Sequence, residues 1–216
     1  MRNHLRGNLI VSNNNLLDIL LFPKSFYKKI SDKLLTLYLG IILVGFIDMG
    51  FSLYADLPMY FLRKPPTALL FNISLTLCFI ILAGLIDIVF FALPLFDIFK
   101  FFRVKERIKN INGQLIKLMK IYVVSHFLVV PVNAFFLFLS NGFYGPKGAV
   151  FYISFFMLSI VTPVWHSAIM TRGINAIYNF DERLKGAVFG LVYIWSTLLG
   201  YALGYIIDNW LIVFLM

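Results

Sequence analysis

Four ionisable side chains lie inside long apolar runs of the sequence, namely Asp48, Asp87, His126 and His166. Carboxylates and imidazoles are competent ligands for a divalent metal, and a histidine beside a charged group can change its protonation near neutral pH. An Asp at the centre of a bilayer costs roughly 2.5 to 3.5 kcal/mol, so each such group needs a partner or a purpose. These residues are the first candidates for chemistry.

Depth along the predicted spans sorts the polar residues into two layers, counted at about 1.5 Å per residue from the cytoplasmic end. An inner layer, at about 8 to 12 Å, contains Asp87, His126 and His166. An outer layer, at about 21 to 23 Å, contains Asp48, Asn72 and Asn133. Three interpretations of the inner layer stay open: hydrogen bonds that fix helix packing, passage of protons or ions, and a metal site. No HExxH pair supports the metal.

The composition predicts the elements that must position these residues. The chain has 216 residues, of which 61% are hydrophobic and 13% charged, yet its net charge is +9. A soluble domain is about half apolar and a quarter charged, and a chain of this length has too little interior to bury the excess. Lipid must therefore solvate much of the surface. Five apolar runs are long enough to cross about 30 Å of hydrocarbon. We predict an all-α bundle of five transmembrane helices at 34–54, 67–93, 118–139, 149–171 and 187–207, with Pro94 and Asn179 in the connections.

The basic residues predict the orientation of the chain. Sixteen of the 19 Lys and Arg residues precede the first span, or fall in or next to the second and fourth connections. Positive charge stays cytoplasmic, so we expect a cell-membrane protein with its N-terminus inside and its C-terminus outside. Residues 1–33 form a cytoplasmic segment and 34–216 the transmembrane domain. Nucleic acid is not an expected partner, because the charges are divided among short segments instead of one soluble face.

Two basic segments have the pattern of short amphipathic helices at the cytoplasmic interface. In the first, Phe26, Tyr27, Ile30 and Leu34 recur at helical spacing, and the second, less regular one contains Phe99, Phe102, Ile108, Ile111 and Leu115. Each basic residue near an anionic leaflet contributes about 1 kcal/mol. The residues expected to meet anionic lipid headgroups are Lys24, Lys28, Lys29, Lys33, Lys100, Arg103, Lys105 and Arg107. The alternative is that these charges only set topology.

Small residues recur on one face of the last span, at Gly186, Gly190, Gly200 and Gly204. This spacing allows a close approach between helix backbones. It predicts packing against another span of the same chain or, alternatively, a homodimer. The octets IILVGFID and IILAGLID, which end at Asp48 and Asp87, are nearly identical. In a chain so rich in Ile and Leu, we interpret this likeness as chance.

Motifs for catalysis are missing from the sequence. It contains no GxxxxGK[ST] phosphate loop, no GxSxG nucleophile elbow and no GxGxxG dinucleotide fingerprint. We therefore expect neither catalytic activity nor a bound cofactor.

Three stretches resemble the Yip (Ypt-interacting protein) domain family in its bacterial form. They are LLFPKSFYKKI before the first span, YVVSHFLVVP with Ser125 and Pro131, and a spaced set that leads into the fifth span, made up of Trp165, Gly173, Tyr178, Lys185 and Ala187. The resemblance implies a five-helix membrane domain with a cytoplasmic N-terminus. Its eukaryotic relatives are membrane adaptors that engage small GTPases. This chain lacks their long soluble N-terminal region and has FYGP between the third and fourth spans, so GTPase binding is not carried over.

The leading hypothesis is a non-enzymatic membrane scaffold or adaptor, with other membrane proteins as partners. The alternative is a small permease or channel-like component that uses the buried Asp and His residues. A third hypothesis is an intramembrane metalloenzyme built on Asp87, His126 and His166.

Overall fold

The computed structural model describes residues 17–54, 57–62, 64–102, 111–142 and 148–215, and these residues form helices without any strand. Residues 17–21 are helical. The helices that follow are α1 Lys24–Lys28, α2 Leu34–Leu53, α3 Leu57–Phe61, α4 Pro66–Phe101, α5 Ile111–Gly142, α6 Ala149–Tyr178 and α7 Glu182–Ile206. After α7 the chain continues through a π-helical turn, Ile207–Leu211, and a 3-10 turn, Ile212–Leu215. The predicted helical class is confirmed.

Five of these helices are long and apolar enough to cross a membrane, which agrees with the number predicted. They are α2, α4, α5, α6 and α7. Four of them are longer than expected, since α4 has 36 residues, α5 has 32, α6 has 30 and α7 has 25. At 1.5 Å per residue, α4 is about 54 Å long, so it exceeds the thickness of a bilayer core.

The predicted break at Pro94 is wrong, because α4 continues through it to Phe101. A proline inside a helix removes one backbone hydrogen bond and crowds the preceding turn. Three residues beyond the proline, Leu95, Phe96 and Phe99, are at most 5% exposed. Their burial against the other helices offsets the cost of the proline.

The other sequence breakers lie where a helix begins or ends. Pro66 occupies the first turn of α4 and Pro65 precedes it, which suits a residue that has no backbone N–H to donate. Asn179 ends α6 in the left-handed conformation with φ 52°, and its N–H donates to the Asn175 carbonyl. Asparagine adopts this conformation more readily than most residues. The break predicted at Asn179 is confirmed.

The central helix of the bundle is α4, which packs against α2, α5 and α7. Its most extensive contact is with α2, where the two helices cross at Gly45 and Gly84. A Cβ atom on Gly45 would lie 2.8 Å from the Gly84 nitrogen, and one on Gly84 would lie 2.7 Å from the Gly45 nitrogen. A side chain at either position would therefore collide with the other backbone.

This crossing is formed by the two similar octets. Gly45 faces the Ile80 carbonyl, and Gly84 faces the Ile41 carbonyl, so the four residues occupy corresponding places in the two octets. The interpretation of the octets as a chance match did not anticipate this pairing. A glycine at the fifth position of each octet is what lets the two backbones meet.

The first predicted interfacial helix corresponds to α1, which packs on α6. Tyr27 is fully buried, whereas Lys24, Lys28, Lys29 and Lys33 are exposed. The second predicted helix is not a separate element where it is described. Phe99 lies near the end of α4, and Leu115 lies near the beginning of α5, so these residues belong to two of the long helices. Arg103, Lys105, Arg107 and Ile108 lie outside the described residues.

Candidate functional site

Four helices bring the candidate polar residues together in the core. The crossing of α2 and α4 brings Asp48 close to Asp87. Tyr122 and His126 are four residues apart on α5, a spacing that places them on one face. His166 lies on the neighbouring helix α6. The cluster therefore depends on the angles at which four separate helices meet.

Asp87 is the most deeply buried member of the cluster, with 2% of its surface exposed. The Tyr122 hydroxyl donates to Asp87 Oδ1 over 2.8 Å. The Phe91 ring stacks on the Tyr122 ring with centroids 3.9 Å apart. This bond and this stacking hold the carboxylate in one orientation, in which Asp87 Oδ2 lies 3.5 Å from His126 Nε2.

The tautomer of the neutral His126 ring follows from its contact with the backbone. Its Nδ1 lies 3.2 Å from the Tyr122 carbonyl oxygen. A carbonyl can only accept, so Nδ1 carries the hydrogen and neutral His126 presents a lone pair at Nε2. A ligating histidine is commonly fixed in this way by a backbone carbonyl.

Three acceptor groups therefore face one another. Ligand atoms of Asp48, Asp87 and His126 all lie within 4.8 Å of each other. Among the residues that the structure describes, Asp48 Oδ2 and Asp87 Oδ2 are buried without a hydrogen-bond donor. Acceptors in such an arrangement repel one another unless a cation lies between them. The cluster can hold a proton or a metal ion.

His166 connects the cluster to a groove between helices. Its ring contacts the His126 ring edge-on, with centroids 5.3 Å apart. Ser125 donates to the Tyr122 carbonyl over 2.7 Å, so its hydroxyl oxygen accepts from His166 Nε2 over 2.9 Å. His166 also lines a cavity of about 320 Å³ among α5, α6 and α7, together with Val129, Asn133, Thr162, Pro163, Ser196, Thr197, Gly200 and Tyr201.

The predicted inner layer is brought together by the structure, since His126 contacts both Asp87 and His166. The predicted outer layer is divided. Asp48 joins the inner residues. Asn72 is buried elsewhere and donates to the carbonyls of Tyr60, at 2.8 Å, and Leu215, at 3.4 Å. Asn133 lines two cavities. Depth along a helix therefore predicted the inner contacts but not the outer ones, because it ignores the direction in which each side chain points.

The glycines of the fifth span do not pack as predicted within the chain. Within the described part of the protein, no atom lies within 4 Å of a Cβ built at any of them, namely Gly186, Gly190, Gly200 and Gly204. Close helix packing occurs instead at Gly45 and Gly84. The signal for it was the repeated octet, in which each glycine precedes the aspartate by three residues.

Side chains of α1 and α6 form a clamp on the N-terminal segment that was not predicted from the sequence. Three successive carbonyls, those of residues 20–22, each accept a hydrogen bond from a side chain. Trp165 Nε1 donates to the first at 2.9 Å, the Tyr27 hydroxyl to the second at 2.9 Å and Arg172 Nε to the third at 2.7 Å. Arg172 also pairs with Asp18. Burial raises the pKa of Tyr27 to about 12, and the Arg172 guanidinium opposes part of this rise.

Residues that carry the Yip resemblance meet at this clamp. Trp165 bonds to the segment LLFPKSFYKKI, and a Cβ on Gly173 would lie 2.8 Å from the ring of Tyr27. Comparison with protein-family models, curated proteins and solved structures finds no match to this chain. Membership of the Yip family stays a prediction.

Proposed function

We propose that this chain is a multi-pass membrane protein that binds a cation in its core and passes it along the bundle, as a small permease or channel-like component. The observation that carries the proposal is the convergence of Asp48, Asp87 and His126 from three helices. The proposal includes insertion in the cell membrane with the N-terminus inside. The five apolar helices and the distribution of Lys and Arg support that placement.

Charge is the reason for preferring a cation. Two carboxylates and a neutral imidazole have a charge of −2, which is costly in a medium of low dielectric constant. One divalent metal, or two protons, would neutralise it. Structural side-chain hydrogen bonds in membranes contribute only about 0.6 kcal/mol each, so they are a weak reason to retain two aspartates. A bound cation accounts for both.

A route to the cluster supports passage as well as binding. His166 contacts His126 on one side and lines the cavity of about 320 Å³ on the other. The polar residues Ser196, Thr197 and Asn133 line the same cavity. The contacts from His166 to His126 and from His126 to Asp87 connect this cavity to the cluster.

Flux into reconstituted vesicles tests the proposal. Vesicles containing the purified chain are loaded with a pH-sensitive dye or a Mn²⁺-sensitive dye, and an inward gradient of protons or Mn²⁺ is imposed. We expect flux of one of the two cations, and we expect Asp87→Asn to abolish most of it. Asp97→Asn is the matched control, because Asp97 lies on the same helix but is exposed and paired with Lys100. Equal flux in Asp87→Asn and the natural chain would overturn the proposal.

A second function, that of a scaffold or adaptor, is favoured by the exposed lysines of the clamped segment. Lys24, Lys28, Lys29 and Lys33 all face outward from a segment that the bundle holds in place. Such a surface suits an acidic partner at the cytoplasmic interface. Under this hypothesis, replacing the lysines would release a co-purifying membrane protein, whereas Asp87→Asn would not.

A further inference from the structure

A second cavity lies near the C-terminal end of α6, beside the start of α7 and the clamped segment. Its volume is about 390 Å³. It is lined by Leu21, Lys24, Ala168, Thr171, Arg172, Asn175, Lys185, Gly186 and Phe189. It is separate from the cation cluster, and no residue of that cluster lines it.

The rim of this cavity is cationic. Lys24, Arg172 and Lys185 line it, and within the described part of the chain none of its lining residues has a carboxylate. Arg172 is held in place by the Phe22 carbonyl and Asp18. Lys185 lies 3.4 Å from Glu182 in a pair whose glutamate is 94% exposed. Exposed pairs are weak, so Lys185 can turn toward an anion, and Lys24 is exposed to solvent.

The floor of the cavity is apolar and open along α7. Leu21, Ala168 and Phe189 supply hydrocarbon surface. No described atom would meet a Cβ on Gly186 or Gly190 within 4 Å. The surface of α7 at these two glycines is therefore open next to the cavity, and an acyl chain can lie against it without meeting a side chain there.

Two polar side chains in the wall are unsatisfied. In the part of the chain that the structure describes, the Thr171 hydroxyl oxygen and Asn175 Oδ1 are buried without a hydrogen-bond partner. Because both atoms are buried, either side chain would have to rotate to reach a ligand in the cavity; the threonine hydroxyl could then donate to a phosphate or ester oxygen. The cavity thus has three cationic side chains among its lining residues and a surface that is mostly apolar.

We propose that this cavity binds one anionic phospholipid, with its phosphate between Lys24 and Lys185 and an acyl chain along the α7 face that contains Gly186 and Gly190. The order of the groups along the two helices matches that of a lipid, because Lys185 lies one turn closer than Phe189 to the cytoplasmic end of α7, and Arg172 lies one turn closer than Ala168 to that end of α6. The inference rests on the membrane placement proposed above but not on the cation site.

Binding of defined lipids tests the inference. The purified full chain in detergent is titrated with phosphatidylglycerol and with phosphatidylcholine, and bound lipid is counted by native mass spectrometry. We expect one phosphatidylglycerol to bind more tightly than phosphatidylcholine. Removing a lysine near an anionic headgroup should weaken binding about fivefold, so Lys24→Gln with Lys185→Gln should weaken it about thirtyfold.

The control pair is Lys28→Gln with Lys29→Gln, which removes the same charge from the same segment at exposed positions outside the cavity. It should leave the single tight site intact. An equal loss in both pairs would mean diffuse attraction to anionic lipid and would overturn the inference.

Two further measurements distinguish binding of the lipid headgroup from binding of its acyl chain. Gly186→Leu changes no charge and adds a side chain where the structure has open space. It should lower phosphatidylglycerol affinity without destabilising the fold. Glycerol phosphate should compete poorly. Tight binding of glycerol phosphate, or unchanged lipid affinity in Gly186→Leu, would show a phosphate site without a lipid slot. Lipid binding should persist in Asp87→Asn, so failure of this inference is distinguishable from failure of the cation proposal.

Discussion

Replacing Gly45 by alanine tests the helix crossing on which the candidate site depends. The new Cβ would lie 2.8 Å from the Gly84 nitrogen, and nearer still to the Ile80 carbonyl oxygen. Ordinary contact begins at about 3.4 Å, and both obstacles are backbone atoms that cannot rotate away. The two helices must therefore separate by about 1 Å or more.

The size of the effect follows from two opposing terms. Overpacking of a well-packed interior costs about 1 to 3 kcal/mol, whereas glycine to alanine in a helix gains up to about 1 kcal/mol. The Gly50→Ala variant has only the gain, because Gly50 lies on the same helix and no described atom is within 4 Å of its Cβ position. Because the gain is common to both variants, we expect Gly45→Ala to be less stable than Gly50→Ala by the overpacking cost alone, about 1 to 3 kcal/mol.

Thermal unfolding in a mild detergent, followed by circular dichroism, measures this difference. For a chain of about this size, each kcal/mol shifts the Tm by roughly 2 to 4 °C, so the two variants should differ by about 2 to 12 °C. Asp48 follows Gly45 by three residues, so the separation should also weaken cation binding at Asp48 and Asp87. Equal Tm values for the two variants would refute the reasoning about the crossing.

Three further predictions concern the clamp and the fifth span. Tyr27→Phe removes a buried hydrogen bond to the Leu21 carbonyl and should cost about 1 kcal/mol at pH 8. The phenol ionises at about pH 10 when unfolded and at about 12 when folded. Its stabilisation is therefore complete below pH 10 and is lost as the pH rises toward 12, so the two unfolding curves should converge over that range. Arg172→Gln should free the N-terminal segment, measured as faster protease cleavage with an unchanged core; equal cleavage rates would argue against the clamp. Ala202→Cys in a Cys78→Ser background tests the homodimer, and a lack of disulfide dimer in native membranes would count against it.

The number of helices could be predicted because each element was encoded locally. A continuous apolar run must satisfy its own backbone hydrogen bonds inside lipid, so its length and composition determine a helix. Turn residues such as Pro66 and Asn179 gave correct boundaries for the same reason, since each acts on its own backbone. Pro94 did not give a correct boundary, because the burial of Phe96 and Phe99 outweighs the tendency of the proline to end a helix.

The candidate site could be predicted only in part. Depth along the helices brought Asp87, His126 and His166 together correctly, but it separated Asp48 from them and grouped it with Asn72. Depth gives one coordinate, whereas a contact also requires two side chains to point toward each other. That direction depends on the rotation of each helix about its axis, which the residues of neighbouring helices decide.

The sequence by itself determined the helices and the distribution of charge along them, since both depend on single segments. The tertiary structure alone decided which polar groups meet. Asp48 reaches Asp87 because α2 and α4 approach closely at Gly45 and Gly84, and His126 reaches both because Tyr122 on the same face of α5 holds Asp87. Gly186, Gly190, Gly200 and Gly204 show the converse, since within the described residues they stay open although other parts of α7 contact α4 and α6. Close packing requires a complementary surface on a second helix. The sequence of one segment can specify its own surface but not the surface of the helix that packs against it.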